Sequence, residues 1–187
     1  MDCLQCAVTP PAIIPICDRV VLSGGGQGLI FMLCATDDLT DPTDPTEYAT
    51  KKYAGQLFHT PFGHIIGSIP EAEAGAKKID SCVPDEIMSR THTWEITDFN
   101  AEDLTLGFTQ DDFYNNINSN YRKYQVGFVT CDERIYGFVK RFSFNARRVV
   151  EDNNQDGTTH WMATITFQDF DHIVPVHVPG IVAALDI

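Results

Sequence analysis

Six cysteines, at 3, 6, 17, 34, 82 and 131, and six histidines are the residues most able to do chemistry. Cys3 and Cys6 form one C-x-x-C, but a structural zinc site wants a second close pair of Cys or His ligands, and none follows. His59 with His64, and His172 with His177, stand five apart, so on strands each pair points to opposite faces. The expectation is therefore no metal ion, with Cys34, Cys82 and Cys131 packed as reduced thiols and Cys3/Cys6 a mobile pair. Nucleophilic catalysis needs a Ser or Cys placed beside a base. There is no G-x-S-x-G elbow, and Cys131 is followed by Asp132 and Glu133, acids that raise a thiol pKa where activation requires lowering it.

The glycine-rich stretch Ser23 to Gly28 is no phosphate loop: no Lys-Ser or Lys-Thr pair follows it, and the next residues read as a strand rather than a helix. It reads instead as a flexible arm over about residues 1–28. The acid pairs Asp37-Asp38 and Asp111-Asp112 fit a solvated loop and a helix start. The acidic loop also lacks the glycine and terminal glutamate of an EF-hand. Lys140, Arg141, Arg147 and Arg148, beside Phe142 and Phe144, form the one basic cluster, read as a solvated strand face or as partners for acids on a neighbouring subunit. No catalytic, cofactor-binding or metal-ligating residue is expected, and the chain is not expected to be an enzyme.

The elements that must position these residues are mostly strands. Leu29 to Cys34 is an apolar run that reads as a buried strand. Asp44 as cap, Pro45 at the first helical position, Glu47 in the capping-box place and Gly55 as a stop specify a short helix over 45–54. Phe62 to Ile69 reads as a strand, and Glu71 to Lys78 as a loop or weak helix. From Arg90 to Phe99, His92, Trp94 and Ile96 share one face while Thr91, Thr93, Glu95 and Thr97 share the other. Thr109 to Asp112 opens a helix in which Phe113, Ile117 and Tyr121 recur at helical spacing, although its asparagines are poor helix formers.

Tyr124, Val126 and Phe128 alternate up to a turn at Cys131 to Arg134. Tyr136, Phe138, Phe142 and Phe144 alternate on the return, and a second reversal at Asp152 to Gly157 leads into Trp161, Ala163, Ile165 and Phe167. Residues 122–168 thus read as a three-stranded meander with one apolar face. Ile173 to Val178 adds a further strand, placed by Pro175 at an edge or a bulge. The fold class is mainly β, a β-sandwich or rolled β-barrel in one domain with one or two short flanking helices.

The chain has 187 residues, of which 26 are acidic and 13 basic, for a net charge of −13. That sign disfavours gripping DNA or docking on anionic lipid. It suits a conduit that lets nucleic acid slide past acidic or neutral walls. No apolar run reaches the ~18 residues of a membrane helix. The first residues lack a secretory leader's basic and apolar regions, so synthesis in the cytoplasm is expected.

In layout the chain resembles the tail tube and related virion proteins of tailed bacteriophages. The likeness is carried by the Ser23 to Gly28 stretch, the acidic loop and helix at Asp41-Pro42-Thr43-Asp44-Pro45-Thr46-Glu47, and the closing β region from Tyr121 to Asp169. It implies a β core flanked by a helix, rings of six copies stacked through loops and terminal arms, and contact with other virion proteins. It also implies DNA as passing cargo and location in the virion after synthesis in a host. A ring former turns exposed strand edges into specific contacts between copies. On that basis the sheet of residues 122–168 is expected to continue across subunits, with proline at Val126 or Ile165 abolishing assembly. The alternatives are a head decoration protein or connector ring, and a β-sandwich carbohydrate-binding module using Trp94, Trp161 or tyrosines as stacking platforms.

Overall fold

The computed structural model describes residues 25–35, 38–62, 65–70, 73–77, 86–99, 110–150, 159–169 and 173–186. Its elements are β1 (Gly26–Leu33), α1 (Pro45–Tyr53), β2 (Leu57–His59), β3 (Ile65–Ser68), β4 (Glu73–Lys77), β5 (Glu86–Asp98) and α2 (Gln110–Asn120). Then follow β6 (Tyr124–Thr130), β7 (Arg134–Val139), β8 (Ser143–Val150), β9 (Thr159–Asp169), β10 (Val176–His177) and α3 (Ile181–Leu185). The fold is mainly β. Ten antiparallel strands run in the order β10-β7-β6-β1-β3-β5-β9-β8, with β2 added to β1 and β4 to β5.

The sheet folds over on itself without closing. Phe31 of β1 meets Phe144 of β8 edge-on at 5.6 Å, although three strands separate them in the sheet order. Trp94 of β5 likewise packs on Phe128 of β6 at 5.7 Å. The two halves are therefore the layers of a β-sandwich, and the barrel alternative is not realised. Leu29, Phe31, Trp94, Ile96, Val126, Phe128, Ile165 and Phe167 fill the space between the layers.

A second core lies on the other side of β1 and β6, where α1 and α3 bring Tyr48, Ile181 and Leu185 against Ile30, Val129 and Ile135. This explains why the first strand reads as an unbroken apolar run. Leu29, Ile30, Phe31 and Met32 are all buried, because β1 is covered on both faces. Helix α3 was not anticipated: five residues leave too little periodicity to read.

Four expectations are corrected. The glycine-rich stretch is not wholly an arm: Gly26 to Gly28 belong to β1, while residues 1–24 lie outside the described set. The reason is packing, since a Cβ on Gly26 would stand 2.2 Å from the ring of Phe128 and 2.8 Å from the Cα of Gly67. Residues 73–77, expected as a loop or weak helix, form β4 against β5. The three-stranded meander is split. β7 pairs with β6 and β10, whereas β8 pairs with β9, so the two halves of the anticipated return strand stand toward opposite ends of the sheet order. Finally, Cys34 and Cys131 are exposed free thiols, and Cys82, with the Cys3/Cys6 pair, lies outside the described residues.

Candidate functional site: a hydroxyl-faced wall and its edge

Strands β3, β5, β9 and β8 present one broad outer face. The alternation read in the sequence holds across it: His92, Trp94, Ile96 and Asp98 turn inward and are buried, which sends Thr91, Thr93, Glu95 and Thr97 outward. The register aligns them in rows. Thr93 faces Thr166, which faces Ser143, and Ser68, Glu95, Thr164 and Asn145 form the next row. Ile66, Thr97, Met162 and Arg147 form another.

With the row of Glu73, Thr91 and Gln168 beside them, these rows carry two acids, Glu73 and Glu95, and one base, Arg147, on a chain of net charge −13. Threonine suits a half-exposed pleated surface and pairs across strands through its methyl and hydroxyl groups. The wall is therefore wettable and close to neutral. Phosphate contacts that hold nucleic acid come from Lys and Arg, and this wall offers little of either.

The wall ends at β8, which has no strand on its far side among the described residues. Helix α2 comes up to this boundary and is fixed by side-chain bonds. Its Tyr114 hydroxyl donates to the buried Asp98 carboxylate at 2.8 Å, and its ring stacks on Trp161 at 5.0 Å. Burial, reinforced by the Asp98 charge, pushes the Tyr114 phenol far above its ordinary range, so it remains a donor. Asp111 accepts from Trp161 Nε1 and from Arg148, each at 2.9 Å. Asn118 reaches the backbone of β8: its Nδ2 donates to the Ala146 carbonyl at 2.8 Å, and its Oδ1 accepts from the Ala146 amide at 2.9 Å.

The basic cluster is dispersed by this arrangement. Arg148 pairs with Asp111, and Lys140 reaches Asp38 at 3.1 Å, both within the chain. Only Arg147 belongs to the wall. A surface cleft of ≈ 310 Å³ lies between the ends of β7 and β9, lined by residues 137–141, 167–169 and Ile173. Among the described residues its titratable lining is Lys140, Arg141 and Asp169, and that lining includes no Ser, Cys or His. Trp94 and Trp161 are both buried, so neither offers a ring to a sugar. Among the described residues no three His, Cys, Asp or Glu side chains gather as metal ligands; His64 and His172 lie outside that set.

The sequence reading missed Tyr114, Asp98 and Asn118. A signal for each was present: Asp98 continues the inward alternation of β5, and Asn118 stands four residues after Tyr114 on the packed stripe of α2. Comparison of the chain with protein-family models, curated proteins and solved structures finds no match.

Proposed function

We propose that this chain is a non-enzymatic structural protein of a tailed-phage virion, made in the host cytoplasm, whose copies form rings that stack into a tail tube. The observation that carries the reading is a near-neutral, hydroxyl-faced wall on an open sheet whose β10 end lacks a further strand among the described residues, while helix α2 lies against the β8 end. In a tube the wall faces the lumen and lets DNA pass without phosphate contacts. Sheet ends and loops supply contacts to other copies and other virion proteins.

Val126 and Ile165 are unsuited to test this. β6 lies between β7 and β1, and β9 between β5 and β8, so proline at either position breaks the subunit's own ladder before it reaches any contact between copies. The direct test is mass photometry and negative-stain microscopy of the purified full chain over a concentration series. Rings or tubes with an open bore are expected. A monomer at every concentration overturns the proposal, and a monomer that binds on a glycan array points to the carbohydrate-binding alternative.

A further inference from the structure

We draw no further inference here: the strongest candidate, the cleft between the ends of β7 and β9 where Lys140 and Arg141 stand beside Phe138 and Ile173, has Lys140 already paired with Asp38 and Asp169 already engaged in an interaction of its own, and nothing in the structure shows what would fill it.

Discussion

Helices α1 and α2 are of similar length and are specified in opposite ways. α1 carries its instructions within itself and the turn before it: Asp44 accepts from the Thr46 amide at 2.9 Å, Pro45 opens the first turn, and Gly55 beyond the end takes a φ of +68°. α2 has acids in its first turn, but asparagine occupies four of its eleven positions and opposes helix formation. It holds through what it touches: Asp98 by Tyr114, Trp161 and Arg148 by Asp111, and Ala146 by Asn118. A helix written in local code and a helix written in tertiary contacts should fail differently when cut.

The largest effect should follow Tyr114→Ala. It empties a fully buried site, removes the stack on Trp161 and takes a donor from Asp98, at a cost of about 3–5 kcal/mol in global stability by denaturant unfolding. Tyr114→Phe keeps the ring and loses the hydrogen bond to a carboxylate, costing about 2 kcal/mol. If both variants melt like the wild type, α2 is not held by these contacts. Asp44→Ala should cost about 1 kcal/mol and leave the α2 contacts intact, read as faster amide exchange confined to the first turn of α1.

The smallest effect is a titration. The amides of Asp41 and Thr40 hold the Glu47 carboxyl below its ordinary value of 4.5. Its contribution is thus present above that value and lost as pH falls through the depressed one. The Thr40 and Asp41 amide resonances should move together over that acidic window and stay still in Glu47→Gln. Independent movement would separate Glu47 from this turn.

The same contrast explains what could be read in advance. α1 was legible because its cap, proline and stop are neighbours in sequence. β5 and β9 were legible because each has one face in the core, which forces a repeat of two on Thr91 to Thr97 and Trp161 to Phe167; His160, expected opposite Trp161, is buried as well. Glu47 sat where expected, yet its carboxylate bonds Thr40 and Asp41 at 2.8 and 2.9 Å rather than the cap residue, a choice fixed by the fold of the loop. The break between β7 and β8 was not legible. Tyr136, Phe142 and Phe144 pack on the core between the layers, but Phe138 packs on the opposite one beside Tyr48, so the expected alternation fails within β7 as well as where the chain leaves one layer for the other. The hydroxyl wall was half legible: its threonines were assigned outward, but their alignment into rows depends on a register across four strands that no local pattern encodes.

The seat of Phe128 carries a last consequence. Its ring lies over Gly26 and Gly67, and Cβ atoms added there would fall 2.2 Å and 2.9 Å from it. Strands β1, β3 and β6 therefore share one volume at this point, and none of the three positions is free to vary alone. A Cβ at 26 or 67 would also meet the backbone of the other, 2.8 Å and 3.1 Å away, so a smaller residue at 128 does not by itself make room, and relatives of this chain should keep glycine at both positions wherever they keep this crossing of strands.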